Sequence, residues 1–377
     1  MRKNTYQTIL SIIAWIGSVQ IFMQYVLGLV SGRLMDTERL RTVSIGGSLL
    51  SLFSLFMLSL TQRQQYYQIL LAQAIGYVSH WEWCSCPPSG LSPNHFTRRR
   101  SLAMGIIPTA NSFGGFVFSV MFSHLFRGRV GFAMGIRIGG FICLGCLSLA
   151  QVLMHQYPKG KLPNEASLSI PASSPSTVAA ICKNQPYVLT VLGGFVFNLG
   201  LFYPIFNVQL FAREEGFAPT NLIGWFLGII DLSSCVGRVV LTYLGDRYGP
   251  VRTIAPCALI SGVLPMTMFL WKGSAAIVAF CVLYGVFSGG VFALLCPAVF
   301  SWDSDRRTSG LGLGIACVPF GIASLVGAPL STALAHVGSG SRTWYAGCIF
   351  AGVMEVLAAV LFLVAIFRNN KLQISTW

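Results

Sequence analysis

Ser274-Ala-Ala-Ile-Val-Ala-Phe-Cys-Val-Leu-Tyr-Gly-Val-Phe-Ser-Gly-Gly-Val-Phe-Ala-Leu-Leu-Cys-Pro-Ala-Val-Phe300 runs for 27 residues without a charged side chain. A helix needs about 20 apolar residues to cross the hydrocarbon of a bilayer, so this stretch is long enough to span one. A membrane-barrel strand needs only about 10 alternating residues, which this run does not resemble. Working outward, stretches of the same character occupy 9–31, 43–60, 66–88, 101–125, 132–154, 185–210, 222–244, 252–271, 310–335 and 344–367. The expectation is an all-α polytopic membrane protein with about 11 transmembrane helices, its partner the lipid bilayer.

Composition agrees. Hydrophobic residues make up 54% of the 377 and charged residues 10%, against about 25% charged in an ordinary soluble domain. The net charge of +14 could suggest nucleic acid. However, the basic residues sit in short clusters between apolar runs rather than along one stripe, which excludes that reading. Of the 25 lysines and arginines, fifteen lie in one alternating set of loops, including Arg33, Arg39, Arg41, Arg98, Arg99, Arg100, Lys159, Lys161, Arg247 and Arg252. That asymmetry predicts these loops, and the C-terminus, to be cytoplasmic. An odd number of spans then places Arg2 and Lys3 on the opposite side, which conflicts with the same rule. Plasma or vacuolar membrane are both compatible with the pattern.

Residues 155–184 are rich in Pro, Ser and Lys and read as a flexible linker. They divide the chain into a five-span bundle, 1–154, and a six-span bundle, 185–377. Two bundles on a linker are the plan of a rocking transporter. Most of the 11 cysteines fall inside apolar runs, and Cys84 and Cys86 have no second pair at zinc spacing. No metal, cofactor or enzymatic chemistry is expected. A P-loop that could use ATP is absent from the sequence.

Two loops share a theme: Gly32-Arg-Leu-Met-Asp36-Thr-Glu-Arg39-Leu-Arg41 and Gly245-Asp246-Arg247-Tyr-Gly249-Pro-Val-Arg252. Each sets an Asp at a helix end with Arg a few residues on, as an ionic latch that breaks when bundles move would require; solvated juxtamembrane charge is the plainer alternative. The loops resemble the A motif of the major facilitator superfamily. His95-Phe-Thr-Arg98-Arg99-Arg100-Ser-Leu-Ala103-Met-Gly105, followed by Ala110-Asn111-Ser-Phe-Gly114-Gly115, resembles the signature of the monocarboxylate porters, the fungal branch in particular. Trp15-Ile-Gly-Ser-Val-Gln20 and Gly237-Arg238 are similar to that family's second and eighth helices. The resemblance covers about 9–75 and 94–367. It implies twelve helices, of which this chain would lack the first. Residues 76–94, with His80, Glu82, two tryptophans and three prolines, depart from the family's smooth helix. A shifted reading frame and a true divergence both account for them.

The resemblance implies a secondary transporter of a small organic solute, a monocarboxylate or related organic anion, moved by alternating access with proton symport. Secondary-metabolite export by the same fold and a transport-dead scaffold or sensor are the alternatives. By the same resemblance Arg238 binds the substrate carboxylate. The family's animal members carry an Asp four residues before it, where this chain has Ser234. Asp231, two helical turns before Arg238 on the same face, is the proton-coupling candidate. A structural, snorkelling Arg238 is the competing reading. Asn198, Tyr203, Asn207, Asn111 and Tyr284 are expected to line the solute cavity, with inter-helix hydrogen bonding as their alternative. Glu355, mid-span in the last helix, is expected to pair between helices, and Arg137 to anchor at an interface. Glycine pairs at four-residue spacing, among them Gly285/Gly289, should permit close helix approach.

Overall fold

Hydrophobic runs of this length leave the backbone one way to satisfy its polar groups in lipid, the helix, and a computed structural model shows helices throughout. It describes residues 15, 17–26, 40–61, 68, 100–128, 130–155, 181–302, 309–335 and 344–375. The helices are α1 (within 17–26), α2 (Leu40–Ser59), α3 (Arg100–Arg127), α4 (Gly131–His155), α5 (Gln185–Glu214), α6 (Phe226–Tyr248), α7 (Pro250–Met266), α8 (Ser274–Phe300), α9 (Ser309–Ala335) and α10 (Tyr345–Ser375). No strand occurs among the described residues. Among the described residues, six helical segments are long and apolar enough to cross a membrane: Ser101–Phe126, Gly131–Leu153, Gln185–Glu214, Asn221–Tyr248, Ser274–Phe300 and Tyr345–Asn369. Shorter apolar helices add Ile45–Ser59, Pro250–Met266 and Leu311–Gly327.

Most of the expected spans coincide with helices, and 274–300 does so to the residue. The span expected at 252–271 is shorter: α7 ends at Met266, just after Pro265, and the chain continues in a 3-10 turn, Met268–Leu270. The last helix runs past its apolar stretch, through Arg368 to Ser375. The span 66–88 apart from helical Gln68, the stretch 76–94, linker residues 156–180, and Gly32, Asp36, Arg98 and Arg99 lie outside the described residues. Arg41 and Arg100 sit on the first turns of α2 and α3, with their side chains outside the described set.

Local sequence fixes the sharpest corner. Gly249 adopts φ +96° between α6 and α7, a conformation a side chain resists. Pro250 then opens α7, where its missing N–H costs nothing. Close helix crossing is explicit where α6 meets α8. A Cβ on Gly285 would lie 2.5 Å from the Ile230 carbonyl oxygen, and one on Gly289 would strike Ser234. The glycine pair therefore does what its spacing predicted.

The helices α5 to α10 interlock around two cores. One gathers Phe197, Ile254, Leu294, Phe320 and Phe362; the other gathers Tyr203, Phe226, Phe280, Tyr284 and Trp344. Among the earlier helices, α2 packs on α4, α4 on α3, and α3 on α6. Phe22 and Tyr25 of α1 lie against Gly321 of α9. The α3–α6 and α1–α9 contacts, with α3 also meeting α8 and α1 meeting α5, are thus seams joining the earlier helices to the later ones. Large apolar side chains such as Phe141, Leu149, Leu153, Val360 and Phe367 point outward. Water would not tolerate so large an apolar surface, but lipid does.

Candidate solute site at the seam between the two halves

Arg238 stands on α6, facing α3, and is 9% exposed. Its Nη1 donates to the Pro108 carbonyl of α3, and its Nε donates to Ser234 Oγ at 3.2 Å. The guanidinium carbon lies 5.2 Å from the centre of the Phe292 ring on α8, within cation–π range. Ser112 of α3 and Ser234 are hydrogen-bonded through their hydroxyls at 3.4 Å, and the Cys235 thiol donates to the Thr109 carbonyl at 3.6 Å. A guanidinium has five N–H donors. Those beyond the two named bonds have no partner among the described residues, so the group can still hold an anion.

Asp231 lies on the same face of α6, half-buried, with its carboxylate against Gly115 of α3. A Cβ at Gly115 would come within 2.9 Å of Asp231 Oδ2, so glycine is what makes room for the carboxylate. Asp231 and Arg238 act on each other electrostatically, but no direct ion pair joins them among the described residues. Asn111, half-buried, shares the face of α3 that carries Pro108, Ser112 and Gly115.

Sequence reasoning missed Tyr25. Its hydroxyl donates to Asn198 Oδ1 of α5 over 3.5 Å and lies within electrostatic range of Arg238. Its ring meets Phe320 of α9 edge-on, with centres 6.2 Å apart. Ser324 Oγ of α9 lies 3.4 Å from Asn198 Oδ1 and donates to the Phe320 carbonyl at 2.9 Å, while Asn198 Nδ2 donates to the Gly194 carbonyl at 2.8 Å. Arg238, Asp231, Asn111 and Asn198 are thus brought to the seams together with Tyr25, Ser324, Ser234 and Phe292. An aromatic near a span's end carries no sequence signal of its own; only its neighbour across the seam marks it.

The other three polar candidates are placed elsewhere. Tyr284 is fully enclosed, with its hydroxyl 2.8 Å from both the Leu201 carbonyl and Glu355 Oε1. Tyr203 is equally enclosed and donates to the Trp344 carbonyl at 3.3 Å. Asn207 donates back to the Tyr203 carbonyl at 2.9 Å. Tyr203 and Tyr284 are used between segments of the later half, the alternative their sequence context left open, whereas Asn207 bonds back within α5. Glu355 pairs between helices as expected, taking hydrogen bonds with Ser261 and Tyr284. Arg137, expected as an interfacial anchor, donates through Nε to Ser59 Oγ at the end of α2, at 3.3 Å.

At the end of the seam, Asp246 does not pair with a guanidinium among the described residues, as a purely ionic latch would require. Its two oxygens accept the backbone N–H groups of Ser101 and Leu102, at 2.8 and 2.9 Å, in the first turn of α3. Unpaired amides and the helix dipole make that turn an anion site, and Asp246 reaches it at a helix end already in contact. Arg247 lies over its neighbour Tyr248, and Arg252 is exposed. Among the described residues no cluster of His, Cys, Asp and Glu could hold a metal.

Long apolar helices interlocked around buried cores, with large apolar side chains turned outward, are the architecture of a polytopic membrane protein. The chain matches the Major Facilitator Superfamily over residues 3–295 and 219–374 and belongs to it. It is 32% identical to MFS-type transporter 1 of Ophiocordyceps sp. (strain BCC 1869), over 94% of this chain and 76% of that one. It is also 32% identical to the agnestins efflux protein AgnL12 of Paecilomyces divaricatus (94% and 77%), and 30% identical to the aspyridones efflux protein apdF of Emericella nidulans (85% and 63%). In fold it is similar to the E. coli fucose:proton symporter, with TM-score 0.64 at 13% identity over 96% of this chain and 98% of that one. The human organic anion transporter MFSD10 (TETRAN) gives 0.65 at 14% identity, over 94% and 82%.

Proposed function

We propose that this chain is an efflux carrier for an organic anion with a sizeable apolar or aromatic body, moved by alternating access. The observation that carries the reading is the convergence on Arg238 of groups from both halves: Pro108 and Ser112 from α3, Ser234 from α6, Phe292 from α8 and, across the second seam, Tyr25. A site shared between halves is one that rocking can open to either side. A guanidinium with free donors suits a carboxylate or enolate, and the surrounding Phe292, Phe320 and Tyr25 suit an apolar remainder. The efflux names of the relatives favour outward movement of such a compound over uptake of a small monocarboxylate.

In this cycle Arg238 exchanges its bond to the Pro108 carbonyl for the anion, and the Asp246–α3 contact holds one end of the seam closed until the halves part. Asp231, half-buried beside Arg238, takes up the coupling proton. The test is export of a radiolabelled aromatic acid and of lactate from cells lacking their own carriers, for wild type, Arg238→Ala and Asp231→Asn. Export of the aromatic acid, lost in Arg238→Ala and made independent of the proton gradient in Asp231→Asn, supports the proposal. Transport of lactate alone would return the protein to the monocarboxylate reading, and no flux of any anion by well-folded protein would favour a scaffold.

A further inference from the structure

Glu355 belongs to neither the seam nor the transport path, and it is the most deeply enclosed carboxyl among the described residues, with 0% exposure. It stands on α10 among close-packed backbone: Gly352 one turn before it lies against Gly262 and Met266 of α7, and Gly200 of α5 lies against Ala351. Two groups meet its carboxyl, and one of them also reaches a backbone carbonyl. Ser261 Oγ of α7 donates to Oε2. Tyr284 Oη of α8 lies 2.8 Å from Oε1, and the same Oη lies 2.8 Å from the Leu201 carbonyl of α5. No charged side chain of α5, α7 or α8 acts on it.

The hydrogen bonds can be counted. A tyrosine hydroxyl has one proton, and the Leu201 carbonyl can only accept. If Glu355 were ionised, three acceptor oxygens, Oε1, Oε2 and the Leu201 oxygen, would share two protons, those of Ser261 and Tyr284. One 2.8 Å contact would then set lone pair against lone pair. A proton on Oε1 closes the count: Glu355 Oε1–H donates to Tyr284 Oη, Tyr284 donates to Leu201 O, and Ser261 donates to Oε2. A buried carboxylate without a cation is also disfavoured on solvation grounds. The structure assigns Glu355 as a resident proton-binding site, a carboxylic acid whose proton ties α5, α7, α8 and α10 into one unit. All four helices lie in the same half, so rocking of the halves does not open this site. The proton stays through the cycle, and Glu355 positions Tyr284 without touching solute.

Infrared difference spectroscopy of the full-length protein in lipid nanodiscs, wild type against Glu355→Gln, tests this. The expected result is a protonated-carboxyl stretch that disappears in Glu355→Gln, persists in Asp231→Asn, and keeps its amplitude from mildly acidic to mildly alkaline pH. Glu355→Gln, which can donate to Tyr284 and accept from Ser261, should retain the wild-type melting temperature, whereas Glu355→Leu should lower it. If Glu355→Gln does not fold, Tyr284→Phe serves instead: removing the acceptor should move the band to higher frequency. Loss of an ionised-carboxylate band in Glu355→Gln, or a band that titrates with the bulk pH, would overturn the assignment. None of these readouts depends on flux, so a failed transport reading leaves this test intact.

Discussion

The seams between the halves and the core of the later half each place a carboxyl and an aromatic hydroxyl among apolar helices, and they finish them differently. In the core, Glu355, Tyr284, Ser261 and the Leu201 carbonyl form a closed chain with every donor matched to an acceptor. At the seam, Asp231 has no hydrogen-bond donor among the described residues, Arg238 has N–H groups without an acceptor among them, and Tyr25 lies 3.5 Å from Asn198 Oδ1. The Gly285 crossing in the core is set against a backbone carbonyl. The seam glycine Gly115 is set against the end of a side chain, which can move. A closed polar network holds helices together, while an incomplete one leaves groups to trade partners with a solute. In the proposed transport cycle the two regions separate what stays rigid from what opens.

Mutations can break or sharpen this contrast. The largest effect should come from Gly285→Leu in the core. A side chain there meets the Ile230 carbonyl and Ser233, and overpacking of this kind costs roughly 1–3 kcal/mol or more; size-exclusion chromatography in detergent should show loss of the monodisperse species. If the variant is well folded and active, the core is not the rigid region. Arg238→Ala at the seam should leave folding intact and cut export about 10-fold or more, as removal of a charge-assisted anion contact worth roughly 1.5–3 kcal/mol predicts. A melting temperature that falls as far as that of Gly285→Leu would make Arg238 structural and erase the distinction.

Asp246→Asn should act on the closed end of the seam. An amide can accept only through its one oxygen and carries no charge for the α3 dipole, a loss of about 0.5–1 kcal/mol. Labelling of a cysteine introduced at Ser101 should rise about 2- to 5-fold, following the same loss; unchanged labelling would remove the gating role. Tyr25→Phe should be mildest. The hydroxyl's contact with Asn198 Oδ1 is at the geometric limit, so loss of that bond should change export by less than about 3-fold, with the aromatic contact to Phe320 retained. A greater loss would make the hydroxyl a direct solute contact.

Much of this was legible in the chain. The uncharged run Ser274–Phe300 predicted its own helix to the residue, because a lipid-spanning segment must be continuous, apolar and about 20 residues long. Gly285 and Gly289 announced a close crossing, because only glycine lets two backbones approach so nearly. Arg238 and Asp231 stood out because charge inside a bilayer is expensive and seldom idle. The end of α7 at Met266 comes earlier than hydropathy alone suggested.

What the sequence by itself determined was therefore the helical class, the approximate spans, the places of close approach and the charged pair Asp231 and Arg238 inside the span of α6, since each depends on one segment's own chemistry and length. Only the tertiary structure decided which polar groups share a site. Asn198 and Tyr203 lie five residues apart on one helix, yet the first faces Tyr25 and Ser324 across a seam and the second is sealed against Trp344. Tyr284 and Glu355 are 71 residues apart and meet at 2.8 Å. Asp246 proved to hold backbone amides, which carry no side-chain signature. A residue's type sets what bonds it can make, but which partner it finds depends on the face its helix turns to its neighbours, and packing alone sets that.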